Sequence, residues 1–144
     1  DTKTQGDWLT ELSVFSKDAW PLATKCRIDA YDPKTKTVYD IKTTAPGGAS
    51  PRAFRYKSID LKYHWQEWNY KQIAAREGLE IKRWVWLVVE TGGDYLAGHY
   101  EFDATTMKEA GKEVTKGMAD LIRCIDLDDW PDYTPDEAQV ISLY

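Results

Sequence analysis

"RIDAYDPKTKTVYDIKTT", residues 27–44, reads as a β-hairpin. Thr24 to Tyr31 alternates, with Cys26, Ile28 and Ala30 on one face and Lys25, Arg27 and Asp29 on the other. Asp32-Pro-Lys-Thr-Lys36 is a polar turn. Val38 to Thr43 is the return strand, with Val38, Asp40 and Lys42 on one side and Tyr39 and Ile41 on the other. The hairpin therefore carries one acid on each strand, Asp29 and Asp40, and a lysine two residues beyond the second acid.

Outward from the hairpin, the pattern is that of one α/β domain. Glu11 to Ser16 alternates weakly and forms a first strand, and Ala45 to Pro51 is a Pro-Gly loop. Ser58 to Glu77 turns helical, with Tyr63, Gln66, Tyr70 and Ile73 on one stripe and Gly78 as C-cap. Lys82 to Thr91 is a β-branched and aromatic strand, central to the sheet. Asp94 to Phe102 is its partner after the Gly92-Gly93 turn. A helix over Ala104 to Ile125 precedes an acidic, proline-punctuated tail. The order β-β-β-α-β-β-α implies a central mixed sheet flanked by helices.

Composition narrows the chemistry. A chain of 144 residues with seven Trp and nine Tyr is one domain with a substantial core. Two cysteines, Cys26 and Cys124, lie far apart, which suits buried reduced thiols rather than a zinc site or a disulfide framework. No apolar run approaches membrane-spanning length and no signal-peptide pattern is present, so a soluble, cytoplasmic protein is expected. The net charge of −5 argues against a generic polyanion binder. Between Lys25 and Lys62, however, nine Lys or Arg face four Asp, a local basic surface able to meet phosphates.

Two strands that each present a carboxylate toward the same end can hold a divalent metal between them, because hard cations such as Mg²⁺ take oxygen ligands and keep waters for a phosphate substrate. A metal and a lysine together cover what phosphodiester hydrolysis needs: an activated water, a stabilised transition state and a neutralised leaving oxygen. Taken alone, alternating Asp and Lys on a strand is ordinarily a solvated sheet face. Tyr63 and Tyr70 at helical spacing are ordinarily core, Trp65 and Trp68 read as buried, and Glu11 reads equally as a surface carboxylate. His64 fits a structural role as well as a phosphate contact.

Lys25-Cys-Arg27-Ile-Asp29, Asp40-Ile-Lys42-Thr-Thr44, Tyr63-His64-Trp-Gln66 with Tyr70, and more weakly Trp130-Pro131, together resemble the PD-(D/E)xK nuclease superfamily. Within it they resemble the RecE-type exonucleases (exonuclease VIII) of phage recombination. The resemblance implies that Asp29, Asp40 and the Ile41 carbonyl hold Mg²⁺ or Mn²⁺, with Glu11 a further ligand. It implies that Lys42 positions or activates the attacking water, and that Gln66 and Tyr70 orient the site and the DNA. Arg27, Arg52, Arg55, Lys57, Lys62, Tyr63 and His64 are the accompanying candidates for DNA contact.

The family also implies 5′→3′ digestion of double-stranded ends to leave 3′ single-stranded tails, a ring-shaped homo-oligomer, a single-strand annealing partner, and a bacterial or phage-infected cytoplasm. Iron-sulfur relatives are disfavoured, since a cluster needs four cysteines. Family members carry a helix before the first strand, and only ten residues precede Glu11. Residues 1–144 are therefore read as a single nuclease domain, a fragment lacking that helix. Two alternatives stand beside this reading: another PD-(D/E)xK DNA endonuclease, and a non-catalytic DNA- or protein-binding module on the same fold.

Overall fold

A computed structural model describes residues 7–131. The elements run β1 (Leu9–Ser16), β2 (Thr24–Asp32), β3 (Thr37–Thr44), α1 (Pro51–Asp60), α2 (Tyr63–Arg76), β4 (Arg83–Glu90), β5 (Ala97–Tyr100) and α3 (Ala104–Leu127). The strands form one sheet in sequence order, β1-β2-β3-β4-β5. Its neighbours are antiparallel except β3 and β4, whose parallel pairing requires the crossover that α1 and α2 supply. The expected mixed sheet with flanking helices is the observed fold.

The decisive hairpin folds for local reasons. Asp32 accepts hydrogen bonds from the Lys34 amide (2.9 Å) and the Thr35 hydroxyl (2.8 Å), and Lys36 takes the left-handed conformation (φ 56°), closing the turn. The Thr35 hydrogen bond also holds the Asp32 carboxyl below the usual range. β2 and β3 pair only from Ala30–Tyr39 to Asp32–Thr37, so the strands part on the side where Asp29 and Asp40 stand.

The helical span expected as one element over residues 58–77 is two helices. Ser50 caps α1, its hydroxyl accepting from the Ala53 amide (3.4 Å), and Pro51 occupies the first turn where its missing N–H is harmless. α1 ends as the Leu61 amide bonds to the Lys57 carbonyl (2.8 Å), and Lys62 then turns left-handed (φ 56°). No Gly or Pro marks this break. A left-handed Lys costs about 1 kcal/mol, which burial of Tyr63 in the next position offsets. α2 ends as its sequence suggests: the amides of Gly78 (φ 76°) and Leu79 bond back to the carbonyls of Ala75 and Ala74, a Schellman stop.

The core lies between the sheet and α1–α2. Val38, Trp84, Trp86 and Val88 rise from β3 and β4 to meet Phe54 and Tyr63, with Ile28 and Tyr31 beside them. Tyr63 stacks on Trp86 at 5.1 Å and Phe54 on Tyr100 at 4.6 Å. α3, capped by Asp103, lies against α2; Trp65 donates to Glu113 (2.5 Å), and Trp68 packs over Gly111. Both cysteines are buried and unpaired, as expected, and burial pushes the Cys26 thiol up to about 11. Among the described residues no helix is long and apolar enough to cross a membrane.

Two glycines of α3 separate propensity from packing. A Cβ on Gly111 would stand 2.6 Å from the Trp68 indole nitrogen, whereas one on Gly117 meets nothing within 4 Å. Gly117→Ala is expected to stabilise by roughly 0.5–1 kcal/mol through helix propensity. At Gly111 the clash outweighs that gain, so Gly111→Ala is expected to lose about 1–3 kcal/mol. Thermal melts of the two variants check this; equal melting shifts would refute the close α2–α3 packing.

Candidate active site

The parting of β2 and β3 leaves Asp40 deep in the domain, 2 % exposed, on the core-facing side of β3 opposite Trp86. A buried carboxylate needs partners, and the DxK spacing provides the first. Lys42 Nζ lies 2.5 Å from Asp40 Oδ1 in an ion pair, although no aligned hydrogen bond reaches that oxygen. The second partner comes from α2. Gln66 Nε2 donates to Asp40 Oδ2 (2.7 Å), and Gln66 Oε1 accepts from Lys42 Nζ (3.3 Å). The three side chains close a triangle. The Lys42 ammonium also sits 5.1 Å from the ring centres of both Tyr63 and Trp86, whose faces favour a cation.

Asp29 completes the group from the other strand. Its Oδ2 accepts from the Ile41 amide (2.8 Å), so the first acid grips the backbone between Asp40 and Lys42. Burial raises the Asp40 carboxyl above the usual range, against the lowering pull of Lys42, and the nearby Asp29 charge raises it further. Tyr70 lies beside the same group: burial raises its hydroxyl, and the fields of Cys26, Asp40 and Asp29 contribute.

The structure brings Asp29, Asp40, Ile41, Lys42, Gln66 and Tyr70 together. Lys57 meets the end of β3 instead, its Nζ 3.5 Å from the Thr44 hydroxyl. Other candidates stand elsewhere. Glu11, expected as a further metal ligand, has a left-handed backbone (φ 52°) and pairs with Arg27 at 3.1 Å, both side chains exposed. Among the described residues no set of three Asp, Glu, His or Cys is placed to hold a metal. Tyr63, expected at the DNA surface, is core; the large ring fills the space left where α1 breaks from α2.

His64 points away toward α3, 3.6 Å from Glu113. With Arg55 it lines a cleft of about 560 Å³ between α1, β5 and α3, whose own acids are Glu101, Asp103, Glu109 and Glu113 and which includes neither Asp29 nor Asp40. Arg52 is exposed near the Tyr56 ring (5.9 Å), and Lys62 lies 5.2 Å from the Trp65 ring. Trp130 and Pro131 end the described residues, with the Trp130 indole donating to Asp128 (3.3 Å). Two residues that the sequence did not single out support the site. Glu67, buried next to Gln66, accepts from the Trp86 indole (3.0 Å) and from Lys71 (2.6 Å), and burial raises its carboxyl. Glu90 accepts from the amides of Gly47 (2.8 Å) and Ala49 (3.2 Å), fixing the loop that launches α1 and Lys57. Neither had a sequence signal: Glu67 stands mid-helix and Glu90 ends β4, positions where exposed acids are common.

The donor set suits a hard divalent cation. Two carboxylates of opposed strands, Asp29 and Asp40, and the backbone carbonyl of Ile41, whose amide already meets Asp29, offer oxygen ligands only, which fits Mg²⁺ or Mn²⁺ retaining several waters.

A family model described as "PDDEXK-like domain of unknown function (DUF3799)" matches residues 9–142. The fold is similar to a crystal structure of a "Putative exonuclease" from Eubacterium rectale, with a TM-score of 0.67 and 14 % sequence identity over 96 % of this chain. This chain spans 56 % of that protein. The crystal structure of SSO0001 is more remote, with a TM-score of 0.46, 13 % identity and coverage of 78 % of this chain and 51 % of that one. No curated protein sequence matches.

The raised proton affinity of Asp40 fixes the sign of two pH effects. Protons compete with a metal for this carboxylate, so Mg²⁺ affinity measured by calorimetry is expected to rise with pH through a window above the ordinary Asp range. Asp29→Asn and Asp40→Asn are each expected to weaken it about 10-fold or more. In EDTA the fold retains the Asp40 proton to higher pH than the unfolded chain does, so this contribution to stability is present at low pH and lost as pH rises through the folded value. The difference in melting temperature between wild type and Asp40→Asn, followed from pH 5 to 8, tests that sign.

Proposed function

We propose that this chain, which belongs to the PDDEXK-like domain family DUF3799, is a divalent-metal-dependent deoxyribonuclease. The observation that carries the reading is the closed Asp40–Lys42–Gln66 triangle facing Asp29 across the parted strands. A purely structural hairpin has little use for a carboxylate 2 % exposed, since burying the charge is costly even when a lysine and an amide meet it.

In this reading Asp29, Asp40 and the Ile41 carbonyl would hold a divalent cation, which when bound would supply Lewis acidity toward water and phosphate. Lys42 is a cation on the same strand face as Asp40, able to orient the attacking water or meet the phosphoryl oxygens. Gln66 fixes the Lys42 ammonium and the Asp40 carboxylate relative to each other, so both arrive positioned. The aromatic faces of Tyr63 and Trp86 keep the ammonium in a low-dielectric wall, where its field on a phosphate is stronger than in water. Lys57 and the exposed Arg27, Arg52 and Lys62 supply backbone contacts whose strength falls with salt. The finer activity is that of a RecE-type 5′→3′ exonuclease acting on double-stranded DNA ends and leaving 3′ single-stranded tails for phage or bacterial recombination. Assembly into a ring, cooperation with a single-strand annealing protein and a cytoplasmic site of action accompany that proposal and rest on the sequence resemblance.

Linear duplex labelled on its 5′ or 3′ ends, incubated with Mg²⁺ or EDTA, tests activity and polarity together. Metal-dependent loss of the 5′ label is expected, reduced at least ~100-fold by Lys42→Ala or Asp40→Ala. Cleavage of closed circular DNA would favour an endonuclease, and Mg²⁺ binding without cleavage of any DNA would favour a non-catalytic module.

A further inference from the structure

A second feature leads away from Asp29 along β2. Ser13, Phe15, Lys25, Cys26, Arg27 and Tyr70 enclose a cleft of about 350 Å³. Its walls are set by strand register: Phe15 lies opposite Lys25 and Ser13 opposite Arg27 across the β1–β2 pair. Of its lining, Arg27 stands two residues before Asp29 on β2, and Tyr70 stands one turn after Gln66, which holds Asp40, on α2, so the cleft and the acid pair adjoin.

Phe15 is 68 % exposed, and no other aromatic ring among the described residues stacks on it. A lone exposed Phe is unremarkable. This one shares a cleft with two cations and a tyrosine. Arg27 is engaged by Glu11 at 3.1 Å, whereas Lys25 makes no ion pair among the described residues. Lys25, Arg27 and Asp29 fall at alternate positions of β2, so from Lys25 to Asp29 the strand covers roughly 13 Å. An exposed aromatic beside a free cation is the combination that binds single-stranded nucleic acid without sequence preference, because every base offers a π-face and every nucleotide a phosphate. An intact duplex keeps its bases stacked inward and cannot offer one to Phe15 except at its terminus.

We propose that the Phe15–Lys25 cleft is a single-strand subsite, in which Phe15 stacks on a nucleobase and Lys25 holds a phosphate of a strand leading to Asp29 and Asp40. Its place in turnover rests on the nuclease reading; its existence as a binding site does not. Substrates with a frayed or tailed end, rather than a continuous duplex, then engage the site most fully.

The test is binding in EDTA, where hydrolysis is absent, of a fluorescein-labelled 12-nucleotide oligothymidylate and of a blunt hairpin duplex. Phe15→Ala is expected to weaken the oligothymidylate about 10-fold with little effect on the hairpin, and Phe15→Trp to restore it. Lys25→Ala is expected to reduce the salt slope by about one. A 2-aminopurine in the oligonucleotide is expected to be quenched by wild type and Phe15→Trp but not by Phe15→Ala. Equal single-strand affinity in wild type, Phe15→Ala and Lys25→Ala would overturn the subsite, as would no binding by wild type. Phe15-dependent binding by a protein that cleaves no DNA would support the subsite and sink the nuclease reading; cleavage with Phe15-independent binding would do the reverse.

Discussion

The burial of one carboxylate organises this domain. Asp40 sits on the core-facing side of the parallel pair β3–β4, and nothing in an apolar core solvates a charge. Its partners must come from the protein, and they fix two elements at once: Lys42 from its own strand and Gln66 from α2. Gln66 suits the position because one amide both donates to Asp40 and accepts from Lys42. A one-residue rotation of α2 would present Trp65 or Glu67 instead, neither of which can do both. The break at Lys62 follows from the same need. An unbroken helix continuing α1 would keep one direction across the sheet, whereas the turn lets α2 set its own and lay Tyr63, Gln66 and Tyr70 along the β3–β4 face.

A second buried acid braces the first. Glu67, 2 % exposed, receives the Trp86 indole N–H and the Lys71 ammonium one turn on. Successive residues of α2 thus tie it to successive strands, Gln66 to β3 and Glu67 to β4. Trp86 is the link between them, since the ring that Glu67 holds is one of the two on which Lys42 rests. Buried ion pairs are weak contributors to stability but strong constraints on geometry once both partners are in place. Here the constraint falls on the angle and distance between a lysine and an acid, the quantity that a phosphate-cleaving site must control.

The hairpin, the strand sequence and the mixed sheet were legible because each is written in period-two alternation and turn chemistry. The spacing of Asp29, Asp40 and Lys42 on the hairpin was legible as a chemically sufficient set, and Gln66 was joined to it only by the family resemblance. What was not legible has physical causes. The α1–α2 break uses a left-handed Lys rather than Gly or Pro, and its compensation is the burial of Tyr63, a tertiary effect. Tyr63 and His64 are adjacent in sequence but about 100° apart on a helix, so one enters the core and the other turns toward α3. Glu11 faces the right strand, yet its left-handed backbone sends the carboxylate to Arg27. Glu67 and Glu90 could not be told from surface acids without knowing which indole or amides would meet them.

Charge counting explains why a cation matters to such a site. With both acids ionised, Asp29 and Asp40 contribute −2 and Lys42 returns +1, leaving a net negative charge where, in the proposed nuclease, a phosphate would arrive. A divalent cation held by the acids brings the sum to +1, and the sign of the interaction with phosphate reverses. Under that proposal Lys42 would neutralise the acids while no cation is held and would serve the substrate once one is. One lysine with two duties also accounts for its mounting. A rigidly paired Lys42 would remain on Asp40, whereas one resting on the faces of Tyr63 and Trp86 keeps a favourable place for its charge whichever partner it has.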